Sequence, residues 1–223
     1  MPISGGSTIS PRIIWAFRGR HLCFYDDFNR TAEDTDVWTS GGDAGSFTRV
    51  TDLSEPTKWR LATGNTIDDD RYIHGDAVPG NKEFSIFEDG YTTVTWEARL
   101  SFTSVVDISA LWGLFLNPVV DYAEPATRCA HFFADPAITN TFRARSLEAA
   151  EEETDTLVAL DTDYHKFKMV WTATSVLFYI DDVLVATHAT QVPDAGMITE
   201  LLIRTEAVAF KNMNIDYNRV EVS

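Results

Sequence analysis

The sequence predicts an all-β protein, folded as a β-sandwich or jelly roll of two antiparallel sheets. Many short stretches alternate apolar with polar residues or are rich in β-branched and aromatic residues, and turn-forming clusters separate them at short intervals. Only residues 147–153, LEAAEEE, have a helix-like composition, and we interpret them as a helical turn or a solvated acidic loop. Many strands with almost no helix are typical of sandwiches and jelly rolls.

The clearest element is a three-stranded meander predicted at residues 165–187. Its first strand alternates apolar residues with lysine and threonine, which indicates one buried and one solvated side. Small polar residues at 172–175 suit a hairpin turn. The second strand, 176–180, is β-branched and aromatic, and Asp181 and Asp182 form a two-residue turn into the third.

The other strand predictions rest on the same patterns. Residues 31–45 are polar and glycine-rich and are predicted to form a loop. Residues 108–116, ISALWGLFL, are almost continuously apolar, which is typical of a strand buried on both faces. The remaining predicted strands, in chain order, are 22–29 (running into a turn), 47–50, 59–62, 71–73, 91–102, 130–133, 141–145, 201–205 and 213–222.

The chain is predicted to form one domain at residues 22–223, preceded by an N-terminal arm or edge strand at 1–21. Its 223 residues are 44% hydrophobic, enough for a core, and neither a linker nor a repeat divides them. Ile13, Ile14, Trp15 and Phe17 are too apolar for a free tail. We expect them to form an edge strand of the domain's own sheet or an arm that assembles on a neighbouring subunit.

The charge of the chain argues against two classes of partner. With 18 basic and 34 acidic residues its net charge is −16, so we expect no binding to nucleic acid or to anionic membranes. No apolar window reaches the ~20 residues of a membrane span. The N-terminus lacks the pattern of a signal peptide, so we expect cytoplasmic synthesis and release by another route. Cys23 and Cys129 could pair, but two buried free thiols fit better with so few cysteines.

Several segments together resemble one superfamily. They are YDDF at 25–28, WEARL at 96–100, WGLFLNP at 112–118, the meander, and NIDYNRVEV at 214–222. Their order is similar to that in the concanavalin A-like lectin/glucanase superfamily, in its laminarin-binding and family 16 glycoside hydrolase branch. The resemblance covers residues 22–223. It implies a jelly roll whose concave face holds sugar in many relatives.

The catalytic motif of that family does not align intact with this chain. Retaining glycosidases use two carboxylates about 5–5.5 Å apart, and family 16 hydrolases carry them on one strand as Glu-x-Asp-x-(x)-Glu. Placed on residues 119–124, the motif would have Asp121 and Glu124 as its later acids but Val119 as its nucleophile. Valine cannot attack a sugar, and Pro125 disturbs a central strand. We therefore expect no enzymatic activity.

Four residues are candidates for sugar binding. An exposed aromatic ring beside planar polar groups suits a sugar face. Trp59 and Tyr72 lie near polar loops, and Tyr122 and Glu124 lie where relatives line the cleft.

A structural calcium ion at Asp27 and Asp216 is a further expectation, because relatives sometimes hold one between their first and last strands. Carboxylate oxygens suit calcium. Asp68, Asp69 and Asp70 lack the acid spacing of a calcium loop, and we interpret them as a solvated turn.

Three functions remain open. The first is a non-catalytic structural or surface-display protein, such as a virion decoration or appendage component that assembles through its N-terminal arm and adheres to glycans. The second is a monomeric lectin-like carbohydrate-binding module. The third is a diverged glycoside hydrolase or polysaccharide lyase. The first and second place the protein on a virion or a cell exterior, and all three rest on analogy of fold.

Overall fold

The computed structural model describes residues 38–50, 58–75, 91–119, 122 and 128–223, and the backbone of Leu22–Asp26. The described residues form fifteen strands and no helix. They therefore contain no helix long and apolar enough to cross a membrane. The strands are β1 Leu22–Asp26, β2 Thr39–Gly41, β3 Gly45–Val50, β4 Lys58–Thr63, β5 Asp70–His74, β6 Thr93–Phe102, β7 Ile108–Phe115, β8 Cys129–Ala134, β9 Thr141–Leu147, β10 Glu151–Ala159, β11 His165–Thr172, β12 Ser175–Ile180, β13 Val183–His188, β14 Ile198–Thr205 and β15 Asn212–Val222.

The strands form two antiparallel sheets, which confirms the predicted jelly-roll sandwich. Sheet A has eight strands in the order β13-β12-β11-β6-β15-β4-β3, with β1 also paired to β15. Sheet B has seven strands in the order β10-β9-β8-β7-β14-β5-β2. Strands β14 and β15 therefore lie inside their sheets, although they come late in the chain.

The predicted meander is confirmed as β11, β12 and β13. Thr172 pairs with Ser175 across the first turn, and Ile180 pairs with Val183 across the second. Asp181 and Asp182 both have positive φ, 50° and 67°. Two successive residues in this region are what a two-residue hairpin turn needs to match the twist of its strands.

The interpretation of residues 147–153 as a helical turn or acidic loop is wrong, because Leu147 ends β9 and Glu151 begins β10. Glu153 reaches across the strand pair to Arg143 and Arg145. Cross-strand ion pairs of this kind override the helix propensity of a short glutamate-rich stretch. The predicted loop at 31–45 also contains β2.

The core lies between the sheets and is rich in aromatic rings. Trp112 of β7 has ring centroids 4.9 Å from Phe167 and 5.5 Å from Phe102 of sheet A. Phe132 of β8 contacts Phe178 edge to face at 5.3 Å. Such contacts join the sheets through large apolar area and favourable ring geometry.

Candidate functional site

The outer face of sheet B, turned away from sheet A, carries its own apolar cluster. Side chains alternate along a strand, so while Trp112 and Phe132 enter the core, their neighbours point outward. The buried residues of this second cluster are Leu111, Phe115, Cys129, Phe133 and Leu202. Both faces of β7 and β8 are therefore buried, as the apolar run at 108–116 predicts.

Two residues of the β7–β8 connection pack on this face. Val119 and Tyr122 lie against the apolar cluster. The Val119 N–H donates to both carboxylate oxygens of Glu200 at 3.1 and 2.9 Å, and Arg204 donates to the Tyr122 carbonyl at 3.0 Å. The Arg204 guanidinium also lies 4.9 Å from the Tyr122 ring. The middle of the outer face is thus occupied by the chain's own side chains.

A row of polar residues crosses the outer face perpendicular to the strands. Pairing aligns His74 with Glu200, Glu200 with Gly113, Gly113 with His131, and His131 with Arg145. Gly113 is required there, since a Cβ at this position would lie 2.5 Å from the Ala130 carbonyl oxygen and 2.7 Å from the His131 Cα. The backbones of β7 and β8 therefore approach closely at the centre of the row.

His131 is one of the fully buried members of this row. It is 1% exposed, and its Nδ1 has no hydrogen-bond partner in the described structure. Its ring lies 5.1 Å from Phe115 and 5.9 Å from Phe133. Burial, and after it the nearby Arg145 guanidinium and His188, lowers the pKa of His131 well below its ordinary value. His131 is therefore a neutral imidazole near pH 7.

One end of the outer face is polar and opens into a cavity of about 390 Å³. Ser109 of β7 donates to Glu206 at 2.5 Å, and the Arg204 Nε donates to the same Glu206 oxygen at 2.9 Å. Asp135, which follows β8, accepts the Ala137 N–H at 2.9 Å. Asp107, Asp135 and Glu206 all line the cavity, together with the apolar side chains of Val105, Ile108 and Leu160.

Tyr122 belongs to the same polar end. Burial, and after it the Asp135 carboxylate, raises the pKa of the Tyr122 phenol to about 12, while a hydrogen bond with Ser109 acts in the opposite direction. The phenol is therefore protonated at any physiological pH.

Asp135 and Glu206 stand on opposite sides of β7, which separates β8 from β14. Strands on either side of a third lie about 9–10 Å apart. The cavity is thus lined by the carboxylates of Asp107, Asp135 and Glu206, and Glu206 is held from behind by Ser109 and Arg204.

The residues predicted from sequence to bind sugar do not form one site. Trp59 is 3% exposed in the core, with its ring 4.5 Å from Phe47, so the structure corrects its assignment as a sugar platform. The error arose because Trp59 lies on the inward side of β4. Tyr72 and Tyr122 both pack on the outer face of sheet B. Glu124 lies outside the described residues.

This structure does not test the predicted calcium site or the predicted assembly residues. Asp216 pairs with Arg99 at 2.5 Å on the outer face of sheet A, and Asp27 lies outside the described residues. Within the described ranges, no group of three or more histidine, cysteine or acidic side chains is placed to hold a metal ion. The arm residues Ile13, Ile14, Trp15 and Phe17 also lie outside the described part.

The structure also corrects the predicted placement of the family motif on residues 119–124. The strand that follows β7 in sheet B is β8, at Cys129–Ala134, whereas Val119 and Tyr122 lie outside the strands. On β8 the outward positions are held by Cys129, His131 and Phe133, so none is a carboxylate. The sequence argument thus tested the wrong segment, because a long connection separates the two strands.

Sequence reasoning also missed Ser109, Arg204, Glu206 and Asp135. A weak signal was available for Asp135, since an Asp-Pro pair directly after a predicted strand marks a strand end. Nothing in the sequence brings the end of β8 beside the end of β14, because that neighbourhood depends on the order of strands in sheet B.

Comparisons place these features beside known proteins. The sequence model described as Glycosyl hydrolases family 16 matches residues 132–201, which is less than a third of the chain. No curated protein matches at a significant level.

Solved structures match over most of the chain. The laminarinase catalytic domain from Thermotoga maritima matches at 14% identity with a TM-score of 0.64, covering 89% of this chain and 96% of the other. A Bacteroides ovatus family 16 endo-glucanase gives 17% and 0.60, covering 90% and 99%. The Bacillus licheniformis β-glucanase gives 14% and 0.60, covering 89% and 97%.

These findings contradict the expectation that the chain is not an enzyme. The family model that matches residues 132–201 describes glycosyl hydrolases, and the similar structures are named as glucanases and a laminarinase. They give no support to a virion or structural role. The resemblance drawn from the sequence motifs is confirmed: the chain has the concanavalin A-like jelly-roll fold of the family 16 glycoside hydrolases.

Proposed function

We propose that the protein is a diverged glycoside hydrolase that cleaves a polysaccharide at the polar end of the outer face of sheet B. The observation that carries this proposal is the pair Asp135 and Glu206, which line one open cavity on opposite sides of β7. The outward residues of β8 provide no carboxylate, so acid–base groups have to come from elsewhere on this sheet. The match to a glycosyl hydrolase model begins on β8 and includes Asp135.

The two carboxylates fit the chemistry of glycosidic cleavage. One carboxyl protonates the leaving oxygen, and the other carboxylate removes a proton from the attacking water. Glu206 is oriented by the Ser109 hydroxyl and the Arg204 guanidinium, so its position is fixed before substrate arrives. The stereochemistry of the first product distinguishes inversion, which uses carboxylates about 6.5–9.5 Å apart, from retention, which uses carboxylates about 5–5.5 Å apart.

The substrates to test follow from the relatives, which are named as glucanases and a laminarinase. Mixed-linkage β-glucan and laminarin should release reducing ends with the full chain. Asp135→Asn and Glu206→Gln keep side-chain size but remove the acid–base group, and each should lower kcat at least about 100-fold. Asp163→Asn on the 160–164 turn is the matched control, since Asp163 does not line the cavity.

The outcomes separate the alternatives. Loss in both cavity variants with an unchanged control supports the assignment, and the stereochemistry of the first product tests inversion. Turnover that survives both cavity substitutions would move the site away from Asp135 and Glu206. Glycan binding without any turnover by the parent protein would overturn the hydrolase proposal.

A further inference from the structure

The exposed large apolar side chains of the described residues all lie at or near one end of the sandwich. Strand pairing brings the ends of β4, β6 and β14 together with the starts of β5, β7 and β15. The turns that join these strands, and the start of β13, carry most of the exposed side chains. The set comprises Ile67, Val106, Ile138, Leu157, Val183, Leu184, Val208 and Phe210.

Four of these residues sit on three neighbouring turns, 64–69, 103–107 and 206–211. We name Ile67, Val106, Val208 and Phe210 the apolar turn patch. Val208 is 74% exposed and Phe210 66% exposed, and every member exposes more than half of its surface. Scattered exposed apolar residues are ordinary, but a cluster on adjoining turns is typical of an interaction surface.

Hydrogen bonds hold the three turns in place without a partner. Thr63 N–H donates to the Lys211 carbonyl at 2.9 Å, and Asp68 N–H donates to the Thr205 carbonyl at 2.9 Å. The Lys211 ammonium donates to the Val106 carbonyl at 2.6 Å and so ties the third turn to the second. A surface fixed in advance binds with a smaller loss of conformational entropy.

The border of the patch is acidic. Asp68, Asp69, Asp107 and Glu206 lie on the same three turns, while the Lys211 side chain is buried and engaged. Arg204 pairs with Glu206 at 2.9 Å and lies 3.8 Å from Asp68, so Asp69 and Asp107 are the border acids that do not pair with Arg204. A second copy of a chain with net charge −16 would bring acid against acid. Three of the four patch side chains are isoleucine or valine, which offer neither hydrogen bonds nor a flat ring to a sugar; Phe210 is the one aromatic ring in the patch. A partner with apolar and basic groups complements both properties of this surface.

We infer that the apolar turn patch is a docking surface for a protein segment that carries apolar side chains flanked by lysine or arginine. Its apolar anchors contact Val208, Phe210 and Ile67, and its cations face the acidic border. Val106, Asp107 and Glu206 also line the cavity of the proposed hydrolase, whereas Val208 and Phe210 do not, so the test substitutions are confined to Val208 and Phe210.

The test uses the full chain and two synthetic amphipathic peptides, one of leucine and lysine and its counterpart of leucine and glutamate. The Val208→Ser/Phe210→Ser double variant is compared with Val183→Ser/Leu184→Ser, which removes the same kind of exposed side chain from β13. At about physiological ionic strength, the lysine peptide should bind the parent and the β13 variant alike and bind the patch variant at least about tenfold more weakly. The glutamate peptide should not bind.

Three results would overturn the inference. The first is that the lysine peptide does not bind the parent protein. The second is that this peptide binds the patch variant and the β13 variant equally well. The third is that the parent protein self-associates and the patch variant does not, which light scattering measures and which would identify a second copy of the chain as the partner. Urea unfolding of each variant verifies that the fold is retained. Both variants should unfold like the parent, because the substituted side chains are exposed.

Discussion

Replacing His131 by phenylalanine should stabilise the protein, and the gain should grow as the pH falls. At pH 7 the substitution removes a buried ring nitrogen that has no partner in the described structure, which is worth about 1 kcal/mol. Phenylalanine suits the surroundings, since the Phe115 and Phe133 rings flank the site. Because the pKa of His131 is lowered in the folded state, the unfolded chain binds the proton more tightly.

The sign and size of the pH effect follow from that difference. The stability due to a neutral His131 is fully present above the unfolded pKa of about 6.5 and is lost as the pH falls from there toward the folded pKa. Each pH unit between the two pKa values costs the wild type about 1.4 kcal/mol. The advantage of His131→Phe should therefore be about 1 kcal/mol at pH 7 and grow by about 1.4 kcal/mol for each pH unit within this window.

Urea unfolding at pH 7, 6 and 5 measures this difference directly. His188 and His165 are present in both proteins, so their contributions cancel in the difference. Burial lowers the pKa of His188, which destabilises the folded protein as the pH falls. For His165 the Asp181 and Asp161 carboxylates outweigh burial and raise the pKa, which stabilises the folded protein at low pH. His131→Gln, which does not titrate, should show the same pH slope as His131→Phe despite its polar side chain. A stability difference that stays constant from pH 7 to pH 5 would refute the argument.

Three further predictions concern packing and reactivity. Gly113→Ala should cost about 2–3 kcal/mol in urea unfolding, because its Cβ would lie 2.5 Å from the Ala130 carbonyl oxygen; a neutral result would contradict the close approach of β7 and β8. Trp59→Ala should lower stability by about 3–5 kcal/mol at the denaturant midpoint, as expected for a core ring, and a loss below about 1 kcal/mol would indicate an exposed one. In a Cys23→Ser background, Cys129 should resist Ellman's reagent at pH 8 until urea is added, because burial raises its pKa to about 12, and rapid native labelling would argue against it.

The sequence predicts the strands better than it predicts their neighbours. Alternation along residues 165–187 is a local property, and it correctly predicted β11, β12, β13 and their turns. Residues 147–153 misled because helix propensity is also local, whereas Glu153 is held by Arg143 and Arg145 on the adjacent strand.

The site was harder to predict because its residues meet only through strand order. Asp135 and Glu206 are 71 residues apart in the sequence and approach each other because β7 lies between β8 and β14. The Trp59 assignment failed for a related reason: nearby polar loops say nothing about which face of β4 points to the core. Alternation with a period of two shows that the two faces of a strand differ in polarity. The order of the strands in the sheet determines which residues each face contacts.

The interior positions of β14 and β15 have a consequence for how the chain folds during synthesis. Strand β15 lies between β6 and β4 and also pairs with β1, and β14 lies between β7 and β5. Before these two strands emerge from the ribosome, β6, β7, β4 and β5 each have an edge with no partner. Among the described strands, the groups β3–β4, β7–β8–β9–β10 and β11–β12–β13 pair between consecutive strands and can form early. A nascent chain stopped before residue 198 would therefore present open apolar edges to its neighbours, so this fold depends on chaperones or rapid completion to avoid aggregation.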